Sequence, residues 1–165
     1  MSFRIRGLDP APFAPHFGLD DTGLAERAMR RVLIDAPHSA PCRVSLEDAE
    51  PGERVILLPF AHHPAHSPYR ASGPIYVRAG GAAFDRVDTL PPVFSGRLLA
   101  IRAYDAEGMM TDADVVECDP RGLFEKFFAD ADVDYLHVHY ARRGCFSCRV
   151  ERAKTEKRLS WPASS

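Results

Sequence analysis

No stretch of this sequence is apolar over anything near the ~20 residues that cross a bilayer, which excludes a membrane-spanning helix. The start, Met1-Ser2-Phe3-Arg4-Ile5-Arg6, lacks the apolar run of a secretory leader, so a cytoplasmic protein without a membrane partner is expected. Cysteine is scarce: Cys42, Cys118, Cys145 and Cys148. Cys42 and Cys118 have apolar neighbours, among which a free thiol behaves as a small hydrophobe, and nothing else points to export and a disulfide framework. Excess positive charge is missing too. Twenty-one basic residues against 23 acidic ones give a net charge of -2, which argues against a general nucleic-acid binder and leaves room only for a local basic patch. There is no Walker loop, no Rossmann glycine fingerprint and no nucleophile elbow, so no cofactor is assigned.

What is present is the make-up of one ordinary domain: 165 residues, 45% hydrophobic and 27% charged. Phe3–Arg6 alternates as a short strand. Asp9-Pro10 has the form of a helix cap followed by proline, and Asp21-Thr22 opens a helix with Leu24, Ala25, Ala28 and Met29 as its apolar stripe. Val32-Leu33-Ile34 reads as a buried strand run. Cys42, Val44 and Leu46 alternate with Arg43, Ser45 and Glu47, which predicts one wet face. Glu50-Pro51-Gly52-Glu53 is a type II turn pattern, and the strand after it, 54–60, is apolar enough to be central in a sheet. Strands over 97–104 and 109–117 form a hairpin. Asp119-Pro120 starts a helix carrying Leu123, Phe124, Phe127 and Phe128. Strands over 135–140 and 145–152 form a last hairpin. Most strands are joined by short turns, which predicts a single α+β domain over 1–153, a largely antiparallel sheet with two main helices packed on it. Residues 154–165 read as a polar tail.

Two constellations carry chemistry. In the first, His137 and His139 alternate with Leu136 and Val138, so both point to one strand face, ~7 Å apart. Cys145 and Cys148 follow at once, but on a regular strand residues three apart point to opposite faces. A three-residue loop, Arg142-Arg143-Gly144, would put Cys145 on the histidine face; a four-residue loop from Ala141 would put Cys148 there. Either way one cysteine at most joins the histidines, short of the four ligands of a closed zinc site, and the two thiols are too far apart to bridge. The plain alternative is that both histidines are part-buried sheet residues with ordinary hydrogen bonds. The second constellation is the loop 62–73, in which Arg70 offers a two-point grip on a carboxylate or phosphate. Its plain alternative is a surface loop rich in turn-formers.

Four segments carry a resemblance. They are Cys42-Arg43-Val44-Ser45-Leu46-Glu47-Asp48-Ala49, Pro51-Gly52-Glu53-Arg54-Val55-Ile56-Leu57-Leu58, Ser67-Pro68-Tyr69-Arg70-Ala71-Ser72-Gly73-Pro74-Ile75, and His137-Val138-His139 followed by Gly144-Cys145. Together they resemble the bacterial family labelled domain of unknown function 1203, over nearly the whole chain. The label implies no activity, cofactor or site residue.

The residues themselves favour a site for a small anionic molecule. His137 and His139 are its candidate acid/base groups, and His62, Tyr69 and Arg70 its candidate binding groups. Two other readings compete: a non-catalytic interaction protein, such as a homodimer, and a metal-binding domain built on His137 and His139. No metal ligand set is assigned from the sequence. The site reading requires the 62–73 loop to lie against the histidine face.

Overall fold

The computed structural model describes residues 1–153, so the expected tail over 154–165 lies outside the described residues. The strands are β1 (Phe3–Arg6), β2 (Arg30–Leu33), β3 (Arg54–His63), β4 (Ala71–Val77), β5 (Asp85–Val87), β6 (Leu98–Tyr104), β7 (Met110–Glu117), β8 (Tyr135–Tyr140) and β9 (Cys145–Arg152). The α-helices are α1 (Asp21–Ala25) and α2 (Arg121–Phe128), with short 3-10 turns at Ala14–Gly18 and Pro92–Phe94. A six-stranded sheet runs β5-β1-β9-β8-β6-β7 and a three-stranded sheet runs β2-β3-β4, every strand pair antiparallel.

The larger sheet has one greasy face. Leu99, Ile101 and Ala103 of β6 lie opposite Tyr140, Val138 and Leu136 of β8, and Cys148 and Val150 of β9 continue the rows. Onto this face α2 lays Phe124, Phe127 and Phe128, all buried, with Phe124 edge-on to Phe3 at 5.1 Å. The smaller sheet forms a second cluster, in which Ile56, Leu58, Ile75 and Val77 meet Phe13, Leu24, Cys42 and Val44.

The expected hairpins, the α2 face and the type II turn with Gly52 at φ 94° are all present, and β3 is central in its sheet. Helix is scarcer than expected. Asp20 caps α1 through a 2.7 Å bond to the Gly23 amide, but the helix lasts five residues and buries only Leu24, so α+β describes this sheet-dominated fold loosely. Val32-Leu33-Ile34 is not a buried strand run: β2 is an edge, and Leu33 is 59% exposed. Residues 42–46 are not a half-wet strand either. Cys42, Val44 and Leu46 are buried as their alternation requires, but Arg43 is buried among them, tied to the carbonyls of Phe146 and Pro41.

Candidate functional site

The polar face of β8 is not open. Tyr135, His137 and His139 point away from α2, and the far end of β3 lies across them. Adjacent residues of a regular strand point to opposite faces. His62 and His63 break that rule because β3 slips register against β4 between Phe60 and His63, a bulge that turns both imidazoles onto the larger sheet. His62 stacks flat on Phe146, centroids 5.3 Å apart and planes 5° apart, and meets His139 edge-on at 5.2 Å. His63 lies against Tyr104 at 4.3 Å and His137 at 5.3 Å.

The two β3 histidines differ in what they have left to offer. His63 is fully engaged. Its Nδ1 lies 2.8 Å from the Tyr69 carbonyl, which can only accept, so Nδ1 carries the proton. Its Nε2 then accepts from the Tyr135 hydroxyl at 2.7 Å, a phenol that burial keeps protonated by raising its pKa. His62, His137 and His139 are not engaged in this way. Each has a buried ring nitrogen with no hydrogen-bond partner among the described residues: Nδ1 of His62, Nδ1 of His137 and Nε2 of His139. In His139 the tautomer is fixed, because Nδ1 donates to the Gly144 carbonyl at 3.0 Å and leaves Nε2 as a bare lone pair. One ring nitrogen from each of the three residues lies within 4.8 Å of the other two.

Burial holds the His137 imidazole down to about 2 and the His139 imidazole down to about 4, and it lowers His62 as well. Near neutral pH His137 and His139 are therefore uncharged, with lone pairs free. Two arginines border them. Arg102 of β6 and Arg149 of β9 are the cross-strand partners of His137, and the Arg102 charge contributes to lowering both His62 and His139. Arg149 is neutralised by Glu151 at 2.8 Å and lies over the Tyr135 ring at 3.8 Å, whereas Arg102 has no ion pair with the described residues.

Of the five residues expected from sequence, the structure brings His62, His137 and His139 together. Tyr69 is peripheral: its carbonyl anchors His63, while the residue is 39% exposed and its ring centroid lies 6.4 Å from that of Tyr104. Arg70 is exposed, and its guanidinium bonds to none of the described residues. The cysteines also depart from expectation. The turn is the four-residue one, with Tyr140 opposite Cys145, but β9 then bulges, so Val138 faces Cys148 and His137 faces Arg149. Both thiols therefore share the rows of Tyr140 and Val138, and neither joins the histidines; all four cysteines are free. Sequence reasoning missed Arg102, whose place opposite His137 depends on strand order, and Phe146, whose role depends on the bulge beside it.

The profile of the protein family of unknown function DUF1203 matches residues 39–152, and the chain belongs to that family. The matched span holds all three histidines, Phe146 and Arg102. No curated protein and no solved structure matches the chain.

Proposed function

We propose that this protein binds a divalent metal ion through His62, His137 and His139, and that the ion keeps an open position for a small anionic ligand. The observation that carries the reading is that three histidines, each with a buried ring nitrogen unpartnered among the described residues, bring one ring nitrogen apiece within 4.8 Å of one another. A buried imidazole without a partner costs about 1–3 kcal/mol, and three in one cluster are hard to account for as packing. A metal ion satisfies all of them at once. Imidazoles on one tetrahedral zinc ion, at 2.0–2.1 Å per nitrogen, have centroids roughly 5 Å apart. The centroids here are 5.2, 6.2 and 6.1 Å apart, so closure by about an ångström completes the shell. The Gly144 carbonyl already performs the outer-shell task of fixing the His139 tautomer.

Three protein ligands are one short of a closed structural site. No carboxylate of the described residues joins the cluster, so the ion and Arg102 together would leave positive charge in a part-buried place. An anion on the open position meets that charge. The ligand expected from sequence to sit near Arg70 thus belongs beside Arg102.

The test is titration of chelator-treated protein with Zn²⁺, read by equilibrium dialysis, and with Co²⁺, read by visible absorption. One equivalent should bind. His62→Ala, His137→Ala and His139→Ala should each weaken binding by more than about tenfold, the lower bound for losing even an outer-shell partner. His66→Ala, an exposed histidine outside the cluster, should change nothing. Binding that ignores all three cluster substitutions would remove this reading.

A further inference from the structure

A second site lies on the other side of the β8–β9 hairpin. A cavity of about 370 Å³ opens beneath the turn, lined by Val32, Ile34, Arg43, Tyr140, Arg142 and Arg143 among others. Its charge is lopsided. Arg97 at its wall is neutralised by a two-point pair with Asp48, at 2.7 and 3.0 Å. Arg43 is not neutralised. It is 2% exposed and forms no ion pair with the described residues. Its Nε donates to the Phe146 carbonyl at 2.7 Å and its Nη1 to the Pro41 carbonyl, which leaves Nη2 without an acceptor among the described residues. The Tyr140 ring, 5.0 Å below the guanidinium, takes up part of the charge. At the rim, Arg142 and Arg143 are exposed and form no ion pair with the described residues. Asp35 is the carboxylate of the lining, so three arginines without an ion pair to the described residues face one acid.

A buried, hydrogen-bonded arginine without a carboxylate is costly unless a counterion reaches it. One stretch of the wall is apolar, from Val32, Leu33 and Ile34 to the Tyr140 ring, with His38 and Ser39 beside it, and the volume suits a small molecule. We propose that this cavity binds an organic oxyanion, whose carboxylate or phosphate head meets Arg43 and the Arg142/Arg143 rim while its apolar body lies on Val32, Ile34 and Tyr140. The site is separate from the three histidines and does not depend on metal.

Benzoate and phenyl phosphate are suitable probes, with benzamide as the uncharged control and inorganic phosphate as the head without a body. Binding is read by calorimetry and by protection of Cys145, which lines the cavity, against iodoacetamide, mapped by peptide mass spectrometry with the exposed Cys118 as internal control. At least one of the two aromatic anions should bind and slow alkylation of Cys145 but not of Cys118; the preferred one tells carboxylate from phosphate. Benzamide and inorganic phosphate should bind more weakly by about tenfold or more, as loss of a charged hydrogen bond or of apolar burial implies. Arg43→Met should weaken binding at least about tenfold, and the surface double variant Arg142→Ser/Arg143→Ser, which does not touch the core, should weaken it severalfold. Failure of both aromatic anions to bind at millimolar concentration would overturn the proposal. So would binding that leaves Cys145 unprotected and is indifferent to the Arg142/Arg143 change, even if Arg43→Met does not fold.

Discussion

Cys148 and Cys118 are the same chemical group in opposite surroundings. Cys148 is buried in the row facing Val138, and burial pushes its thiol up to about 12. Cys42 is buried as well, Cys145 is half-buried at the edge of its cavity, and Cys118 is exposed. Since the thiolate is the reactive form and must be reached, the order follows from access, with the raised pKa of Cys148 holding that thiol back further. A disulfide-exchange titration of native protein without reductant should show Cys118 reacting first and Cys145 more slowly. Cys42 and Cys148 should react only after denaturation. A native count of four accessible thiols would contradict the packing, and a count below four after denaturation would reveal a disulfide.

At the scale of elements, a turn adds to the contacts that hold β3 over the histidine face. The β6–β7 turn reaches the loop after β3 at Gly108, whose carbonyl accepts from Ser67 Oγ at 2.8 Å. Gly108 sits at φ 77°, and a Cβ there would lie 2.5 Å from the Ala65 Cβ. Gly144 has the same kind of backbone, φ 75°, but open space around it. Gly144→Ala should therefore cost only the left-handed strain, about 1–2 kcal/mol. Gly108→Ala should cost more in urea unfolding, because the clash is added. Equal losses would mean that the turn is not clamped against the loop. These elements also separate what was legible from what was not. Tyr135–Tyr140 and Cys145–Arg152 were readable to their ends, because alternation and a glycine-bearing turn are local signals. The bulges in β3 and β9 were not. Each inserts one residue without a sequence mark of its own, and each flips the parity on which face assignments rest. That is why the facing of His62 was not readable, and why neither cysteine reaches the histidine face on which one of the two could have lain.

Seen whole, the molecule keeps its hydrophobic support and its histidines on opposite sides of one sheet. The α2 phenylalanines and the β6, β8 and β9 core rows lie on one face, and the unpartnered imidazoles on the other. Folding should therefore survive without metal, while binding adds to stability by mass action. Chelator-treated protein should keep its far-ultraviolet circular dichroism. Zinc at a hundred times its Kd should contribute about 2.7 kcal/mol, which for a chain of this length raises Tm by roughly 5–10 °C. Unfolding on chelation would show that the metal replaces core rather than occupying a prepared site. The same view explains why the composition revealed one site and concealed the other. Paired histidines on a strand are conspicuous, whereas Arg43 stands in a segment whose alternation placed it in water.

The most direct measurement is anomalous diffraction at the zinc edge from crystals of the full chain grown with one equivalent of zinc. Metal binding at the three histidines predicts a peak about 2.0–2.1 Å from one ring nitrogen each of His62, His137 and His139, with a non-protein ligand in the remaining position. A peak on other residues, or zinc-loaded crystals without a peak between these three rings, would contradict it.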